Sequence, residues 1–244
     1  MLPVLITYSN YGYIDFAKNL ILNLANVLKN HKLHFYCLDM QIYDELSKTP
    51  HEFMTLQLFE QDVSSDFEVY NSKKYNELTH TKTIVLRDAL NRYPFIHFID
   101  CDVVCLKEPT IDHYYQYSSC DIVFQYDYYY DKLPEFYFKT WQCTGNMSLR
   151  RTPGTFNFID NLELTQLNNT SKNDQDCLLT MFKLSKITDI RKYKSTRLFV
   201  YPPEEYTNGS WRGDMSNTYF FHANHVVGKE DKINLLKKID HWFL

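Results

Sequence analysis

Glycine is scarce in this sequence, which has only 6 glycines among its 244 residues. Proteins that hold phosphate groups in glycine-rich loops need several glycines close together, because glycine lets the backbone approach the ligand. The segment after the first apolar run, Ser9-Asn-Tyr-Gly-Tyr13, contains a single glycine. This scarcity excludes the dinucleotide-binding glycine fingerprint and argues against a glycine-rich triphosphate loop.

Cysteine pairs with the spacing of a zinc site are also missing. The six cysteines are scattered without a Cys-x-x-Cys pair and are too few for a disulfide scaffold: Cys37, Cys101, Cys105, Cys120, Cys143 and Cys177. We therefore expect reduced and mostly buried thiols.

A basic patch and a long apolar run are the other features that the sequence lacks. The formal net charge is −4, with Lys and Arg residues spread along the chain, so a nucleic-acid partner is not expected. No apolar run is long enough for a signal sequence or a membrane span. We therefore expect a cytoplasmic protein without a membrane segment. Its charge balance suits a small charged ligand that is bridged by a metal.

Strand and helix patterns alternate in the first half of the chain. Short apolar runs predict strands, and apolar residues at helical spacing, such as Leu20, Leu24 and Val27, predict helices. The predicted strands are 4–8, 33–38, 55–59 and 95–99, and the predicted helices are 15–30, 41–47 and 73–93. Alternation at this spacing indicates βαβ units and a mostly parallel sheet.

The pattern is less regular in the second half. Its predicted strands are 121–125, 142–149, 198–201 and 219–222, and its predicted helices are 155–164, 174–182 and 229–242. A chain of this length can bury one sizeable α/β core, and neither an internal repeat nor a low-complexity linker divides it. We therefore predict one domain.

The most informative motif is an acidic turn, Asp100-Cys101-Asp102, directly after the predicted strand 95–99. In open α/β sheets, ligands bind at the carboxyl ends of the strands. Two carboxylates separated by one residue can approach the same hard cation, and Mg²⁺ and Mn²⁺ prefer such oxygen ligands. The alternative is a solvated turn, since a second Asp-x-Asp triplet at 174–176 shows that the pattern also arises by chance.

Further motifs accompany this turn along the chain. The turn lies in Phe98-Ile-Asp-Cys-Asp-Val-Val-Cys-Leu-Lys-Glu-Pro109, and the other motifs are Thr7-Tyr-Ser-Asn-Tyr11, Lys82, Gln142-Cys-Thr-Gly-Asn-Met147, Asn173-Asp-Gln-Asp176, and Phe221-His-Ala-Asn224 followed by Gly228-Lys229. In these motifs and in their order, the chain resembles the retaining nucleotide-diphospho-sugar transferases of the GT-A fold. It is most similar to glycosyltransferase family 77 and more distantly similar to family 8, the glycogenin-like group.

The resemblance implies a fold and an activity. The fold is a single α/β GT-A domain over residues 1–244, Rossmann-like, with a mixed but mainly parallel sheet flanked by helices. Residues 1–102 would form the nucleotide-binding half, and residues 103–244 the half for the donor sugar and the acceptor. The activity is metal-dependent transfer of a sugar from a UDP-sugar to a hydroxyl group of a glycan or protein acceptor, with retention and with Mn²⁺ or Mg²⁺.

The resemblance also implies roles for individual residues. The metal ligands are Asp100, Asp102 and His222. The expected contacts of the nucleotide-sugar donor are Thr7, Tyr8, Asn10, Lys82, Asp100, Cys101, Asp102, Thr144, Gly145, Asn146, Asn224, Gly228 and Lys229. Lys229 begins the last predicted helix, whose N-terminus favours a diphosphate, and we prefer it to Lys232. One departure is Cys143, at a position where the family usually has asparagine.

Candidates for catalysis are Asp174, Gln175 and Asp127. Asp174 either contacts the donor sugar or serves as the N-cap of its helix, and the sequence shows no nucleophile for a double displacement. Asp127 lies in an aromatic segment, 121–141. This segment either lines the acceptor side of the site, because aromatic faces suit sugar stacking, or forms a packing loop.

Two other functions compete with glycosyl transfer. A sugar nucleotidyltransferase also uses an α/β sheet and a metal, but the single glycine after the first strand disfavours the triphosphate loop of that class. A non-catalytic carbohydrate-binding module could use the aromatic segment, but it would leave Asp100, Asp102 and His222 without a purpose.

Overall fold

The computed structural model describes residues 1–127, 142–185 and 191–244. Its strands are β1 (Val4–Ser9), β2 (Leu33–Cys37), β3 (Met54–Leu58), β4 (Phe95–Ile99), β5 (Val103–Cys105), β6 (Ile122–Tyr126), β7 (Gln142–Arg150), β8 (Lys192–Tyr193), β9 (Thr196–Val200), β10 (Tyr206–Asn208) and β11 (Phe220–His222). Its helices are α1 (Ile14–Val27), α2 (Met40–Ser47), α3 (Lys73–Arg92), α4 (Ile111–Tyr115), α5 (Pro153–Leu167), α6 (Asp174–Leu184) and α7 (Lys229–Lys238).

Eight strands form one large sheet in the order β3-β2-β1-β4-β7-β6-β9-β8. Strands β1 to β4 pair in parallel, whereas β7 runs antiparallel to both β4 and β6. Beyond β7, β6 and β9 pair in parallel. The prediction of an α/β fold with a mixed but mainly parallel sheet is therefore confirmed.

Local sequence explains where the main helices begin and end. The side chain of Asp39 accepts a hydrogen bond from the backbone of α2, and Ser72 caps α3 in the same way, because the first backbone N–H groups of a helix lack partners within it. Helix α3 ends at Arg92, two residues before Pro94, since the residue before a proline disfavours helical geometry. Helix α1 buries Phe16, Leu20 and other residues at helical spacing against the sheet.

A second, smaller sheet of order β10-β11-β5 lies beside the large one. Strand β5 follows the acidic turn, and β11 pairs with it antiparallel so that His222 lies opposite Val103. The backbone N–H of Ala223 donates to the carbonyl of Asp102 at 3.0 Å. This sheet was not predicted as such, because its three-residue strands are too short to show a clear pattern, yet it joins the C-terminal part of the chain to the acidic turn.

The last helix differs from its predicted bounds, 229–242. It ends at Lys238, and Asp240 adopts a left-handed conformation with φ 58°. The N–H of His241 then donates to the carbonyl of Leu236 at 2.9 Å, a bond that closes helices with a left-handed residue after the C-cap. The remaining tail packs on α1, where the rings of Trp242 and Phe16 meet edge to face.

Helix α1 likewise ends at Val27, short of the predicted residue 30, and α5 extends past the predicted 164 to Leu167. Of the aromatic segment 121–141, Tyr126 ends β6 and is buried, and residues 128–141 lie outside the described residues. All described cysteines are free thiols, and five of them are buried, as expected. Among the described helices, none combines the length and apolarity that crossing a bilayer requires.

Candidate functional site

A cavity of about 530 Å³ opens at the carboxyl ends of β1 and β4. Ligand sites in α/β sheets concentrate at this edge. The predicted residues that line the cavity are Tyr8, Asn10, Lys82, Asp100, Cys101, Asp102, Asp127, Thr144, Gly145, Asp174, Gln175, His222, Asn224 and Gly228. Most of the predicted site residues are thus brought together on one surface.

Asp100, Asp102 and His222 form a cluster in this cavity. One potential ligand atom from each residue lies within 4.8 Å of the other two, and the described part of the chain contains one such group of metal-ligating side chains. Nε2 of His222 lies 3.2 Å from Oδ1 of Asp102. The predicted meeting of the acidic turn with a histidine 120 residues downstream is therefore present in the fold.

Gly145 makes this close approach possible. A Cβ atom at residue 145 would lie 2.5 Å from Cε1 of His222 and would also overlap the carboxylate of Asp100. The bulge in β7 sets this position: Phe124 of β6 lies opposite Met147, and the next residue, Gln125, lies opposite Cys143. Residues 144–146 therefore have no partner on β6, and Gly145 among them packs against Asp100 and His222.

The donor set fits a divalent cation of the Mn²⁺ or Mg²⁺ class. Two carboxylates and one imidazole supply oxygen and nitrogen ligands, and imidazole suits Mn²⁺ better than Mg²⁺. In octahedral geometry with bonds of about 2.1 Å, ligand atoms are about 3 Å apart when adjacent and about 4 Å when opposite. The potential ligand atoms of Asp100, Asp102 and His222 lie within 4.8 Å of one another, which is close to these separations.

Lys82 is a buried lysine of α3 that lies next to the cluster. Its Nζ is 3.2 Å from Oδ1 of Asp100 and 2.7 Å from Oδ2 of Asp174. Burial disfavours the charged ammonium, but Asp100 and Asp174 outweigh that effect and raise the pKa of Lys82 well above its usual value. Lys82 is therefore a fixed positive charge between two carboxylates.

The structure places Lys232, not Lys229, at the acidic turn. The ammonium of Lys232 contacts the carboxylate of Asp102, and Lys232 lines the cavity. Lys229 instead pairs with Asp15 of α1 at 2.6 Å and lies away from the cavity wall. The two lysines are three positions apart on α7, and the rotation of the helix about its axis decides which one faces the carboxylates. We therefore replace Lys229 with Lys232 as the candidate diphosphate contact.

Burial and neighbouring charges shift the pKa values of the cluster. Burial raises the pKa of Asp100, opposed by Lys82 and reinforced by the charge of Asp102. Burial acts in the same direction on Asp102, but Lys232 and His222 outweigh it and hold its pKa well below the usual value. Burial disfavours a charged imidazole, yet Asp102 raises the pKa of His222 well above its usual value. A cation would therefore compete with a proton for His222.

Asp174 and Gln175 begin α6 beside the bulge. The N-cap of this helix is Asn173, whose Oδ1 accepts from the N–H of Asp176 at 2.8 Å, so the alternative in which Asp174 caps the helix is wrong. Oε1 of Gln175 accepts from the N–H of Thr144 at 2.9 Å, and its Nε2 donates to the carbonyl of Gln142. Gln175 therefore ties α6 to the segment that carries Gly145.

Some predicted donor contacts serve the scaffold in this structure. Thr7 and Asn146 lie outside the cavity lining: Oγ1 of Thr7 is 3.5 Å from Sγ of Cys101, and Oδ1 of Asn146 is 2.7 Å from Nε2 of His97. Asn10 lines the cavity, but its Nδ2 donates to the carbonyl of Ser64 at 2.6 Å. These side chains hold β1, β4 and the loop after β3 in place.

The loop of residues 59–72 supplies cavity residues that the sequence did not indicate. Phe67, Glu68, Val69 and Tyr70 line one wall, and the rings of Phe67 and Tyr13 are 4.5 Å apart. A Cβ atom at residue 12 would overlap the backbone of this loop. Gly12, the single glycine after β1, is thus the sequence feature that could have indicated that this loop packs against the segment after β1.

Asp127, Asn224 and His225 form a polar group on another wall of the cavity. Nδ2 of Asn224 donates to Oδ1 of Asp127 at 2.7 Å, and Nε2 of His225 lies 3.1 Å from the same oxygen. His225 adopts a left-handed backbone with φ 60°, and Gly228 has φ 99°. The sequence predicted Asp127, Asn224 and Gly228 as site residues and missed His225.

Comparisons with known proteins bear on the family and the fold of the chain. Residues 29–236 match the family of nucleotide-diphospho-sugar transferases. The structure is similar to that of the bifunctional glycosyltransferase WbbM in its apo form, with 12% identity, a TM-score of 0.52 and coverage of 98% of this chain and 51% of that one. It is also similar to the glycosyltransferase GlyE of Streptococcus pneumoniae TIGR4, with 10% identity, a TM-score of 0.57 and coverage of 100% and 61%.

At these identities the structural likeness shows the fold alone. The chain spans 51% to 61% of the length of these glycosyltransferase structures. A comparison with curated proteins finds no match.

Proposed function

Because the chain belongs to the nucleotide-diphospho-sugar transferase family, we propose that it transfers a sugar from a UDP-sugar to a hydroxyl group of a glycan or protein acceptor. Transfer proceeds with retention and depends on Mn²⁺ or Mg²⁺. The observation that carries the proposal is the cluster of Asp100, Asp102 and His222, whose ligand atoms lie within 4.8 Å of one another in a cavity of about 530 Å³.

The charges around this cluster suit a diphosphate. Asp100, Asp102 and His222 would hold the cation, which would neutralise the charge that develops on the diphosphate as the sugar leaves. Lys232 extends from α7 to the same place, and an ammonium group is a common point contact for phosphate oxygens. Lys82 keeps Asp100 and Asp174 oriented from behind. These groups would bind the diphosphate before and after transfer.

The lining of the cavity suits both parts of a nucleotide sugar. Tyr13, Phe16 and Phe67 offer aromatic faces for a nucleobase. Asp174, Asp127 and Asn224 offer the acceptors and donors that sugar hydroxyls require. We expect the sugar to lie against Gly145, where the backbone can approach closely.

The transfer itself exchanges two bonds at the anomeric carbon. The bond to the diphosphate oxygen breaks, and a bond to the acceptor oxygen forms on the same face. The departing phosphate takes the proton of the acceptor hydroxyl, so that UDP and the glycoside are the products. Asp174 is paired with Lys82 at 2.7 Å, which favours a role in holding the sugar over one as a covalent nucleophile, since a neighbouring cation lowers the nucleophilicity of a carboxylate.

Binding of UDP, measured by isothermal titration calorimetry with and without Mn²⁺, tests this function. We expect binding in the presence of Mn²⁺ and much weaker binding in the presence of a chelator. UMP serves as the matched control, because it lacks the second phosphate of UDP. UDP binding of equal strength with Mn²⁺ and with chelator would remove the cation from the proposal.

A panel of nucleotide sugars then identifies the donor. Glycosyltransferases release UDP slowly when water replaces the acceptor, and this release can be followed for each sugar. A sugar nucleotidyltransferase would instead form a UDP-sugar and pyrophosphate from UTP and a sugar phosphate. A non-catalytic carbohydrate-binding module would bind glycans without any dependence on UDP or metal.

A further inference from the structure

Both ring nitrogens of His222 have partners in the structure. Nε2 faces Asp102, with 3.2 Å between Nε2 and Oδ1, and Nδ1 lies 3.4 Å from the sulfur of Cys143. His222 and Cys143 are both buried. The imidazole is therefore oriented by one contact on its cation side and by a second contact on its opposite side.

The sulfur of Cys143 lies at the edge of the bulge in β7. It accepts a hydrogen bond from the N–H of Gly145 at 3.3 Å, so one backbone donor already points at it. The bulge begins at Cys143, which pairs with Gln125, and Gly145 packs against Cε1 of the imidazole. The ring of His222 is thus bounded at Nδ1 by the thiol, at Cε1 by glycine and at Nε2 by Asp102.

These contacts distinguish between the two flipped orientations of the ring. A rotation of 180° would exchange Nδ1 with Cδ2 and Nε2 with Cε1, so both polar contacts would be lost and a carbon atom would face Asp102. A ligating histidine usually donates its other ring N–H to a partner, which fixes the orientation and the tautomer of the ring. Among the described residues, the partner placed at Nδ1 is a sulfur atom, a weak acceptor.

We propose that Cys143 is a positioning residue for the cation site: it accepts the Nδ1–H of His222 and thereby turns the Nε2 lone pair toward the ion shared with Asp100 and Asp102. The inference rests on the proposed metal-dependent function. It assigns a role to Cys143, the position at which the family that this sequence resembles usually has asparagine. The thiol does not itself bind the ion, because it contacts the nitrogen on the far side of the ring.

The test measures binding of Mn²⁺ alone, by the loss of the free-ion signal in electron paramagnetic resonance. We expect Cys143→Ala to weaken Mn²⁺ binding by about 10- to 100-fold, the usual effect of removing such a partner. Cys143→Ser should recover part of the loss, since a hydroxyl also accepts a hydrogen bond. Cys105→Ala is the matched control: Cys105 is also a buried thiol, but it contacts the carbonyl of Lys107 away from the cavity, so we expect wild-type Mn²⁺ binding.

A second readout reports the imidazole directly. In protein labelled with ¹⁵N-histidine, long-range proton–nitrogen correlations distinguish Nδ1–H from Nε2–H, and diamagnetic Mg²⁺ replaces Mn²⁺ for this measurement. We expect wild type with Mg²⁺ to show His222 as the Nδ1–H tautomer and Cys143→Ala to show a mixture. Circular dichroism establishes that each variant is folded, and Cys143→Ser provides the comparison if the alanine variant is not.

The outcomes separate this inference from the proposed function. If wild type binds Mn²⁺ and the folded Cys143 variants bind it equally well with the same tautomer, the positioning role is wrong and the transferase proposal stands. If wild type binds neither Mn²⁺ nor UDP in the presence of Mn²⁺, the proposed function fails and takes the inference with it.

Discussion

The Cα atom of Gly145 lies against the carboxylate of Asp100, so closely that a Cβ atom at residue 145 would overlap Oδ2 of that carboxylate. The N–H of Asp100 also donates to the carbonyl of Gly145 at 2.8 Å. Residue 145 therefore contacts both the backbone and the side chain of Asp100. The side-chain contact requires glycine, because a Cβ atom at residue 145 would have no room.

Gly145→Ala should therefore disable the site without unfolding the protein. The methyl group would displace either Asp100 or His222, and we expect Mn²⁺ affinity to fall by about 10- to 100-fold, as when ligand orientation is lost. Gly154→Ala is the control, because the nearest atoms to a Cβ at residue 154 are 3.3 Å away and belong to neither ligand. Wild-type Mn²⁺ binding by folded Gly145→Ala would show that the cluster does not hold the ion.

Asp102→Asn tests the second carboxylate. The substitution keeps the shape of the side chain and removes the charge that faces His222 and Lys232. We expect a folded protein that has lost metal-dependent UDP binding and turnover, measured by calorimetry and by UDP release. Asp176→Asn is the matched control, since Asp176 lies in the other Asp-x-Asp triplet but is exposed and outside the cavity lining. Equal turnover of wild type and Asp102→Asn at saturating donor would contradict the role of this residue.

The sequence predicted those parts of the site that local patterns determine, and it did not by itself predict those that depend on contacts between distant segments of the chain. The strand before Asp100 and the aromatic strand before His222 are local patterns, and each predicted its residue at a strand end. The meeting of the two residues rested on a resemblance to a family. In the structure it depends on the pairing of β5 with β11, two three-residue strands whose register no local pattern reveals.

The choice between Lys229 and Lys232 shows a different limit. Both positions suit the first turn of a helix, and sequence periodicity gives their relative direction but not the rotation of the helix about its axis. That rotation is set by packing of Leu236 in the core and of Trp242 on α1.

The loop of residues 59–72 is a third case. The sequence shows no regular pattern there, and the path of the loop over Gly12 is a tertiary contact that local sequence does not reveal.

A pH dependence of stability follows from His97, which is fully buried on β4. Its Nδ1 is 2.7 Å from the hydroxyl of Tyr114, and burial lowers the pKa of His97 to about 3. In the unfolded chain this histidine binds a proton below about pH 6.5, whereas the folded protein keeps it neutral. The unfolded state therefore binds more protons, and the stability contributed by neutral His97 is lost as the pH falls from about 6.5 toward 3.

Urea unfolding between pH 7 and pH 5 measures this effect. One such proton contributes at most about 1.4 kcal/mol per pH unit to the slope of the unfolding free energy. We expect the slope to decrease in His97→Gln by a large part of that amount, whatever the absolute stability of the variant. Tyr114→Phe removes the partner hydroxyl and leaves the imidazole, so its slope should stay near that of wild type. Identical slopes in wild type and His97→Gln would contradict a buried neutral histidine.

Lys82 offers the sharpest test of how the site is held together. Its side chain is 5% exposed and faces Asp100 at 3.2 Å and Asp174 at 2.7 Å. Lys82→Met keeps much of the volume of the side chain and leaves two carboxylates without their shared cation. Loss of one partner from a buried ion pair costs about 3–5 kcal/mol, and we expect a decrease of this order in the free energy of urea unfolding.

The double variant Lys82→Met with Asp174→Asn separates charge from packing. If the loss arises from an uncompensated charge, removing one of the two carboxylates should restore part of the stability, and the two substitutions should not be additive. Lys73→Met is the control on the same helix, since Lys73 is 83% exposed and pairs with Glu77 at 3.7 Å; such a surface pair contributes about 0–1 kcal/mol. Additive losses in the double variant would mean that Lys82 and Asp174 do not stabilise the fold through their opposite charges, which would contradict the ion pair as the source of the loss.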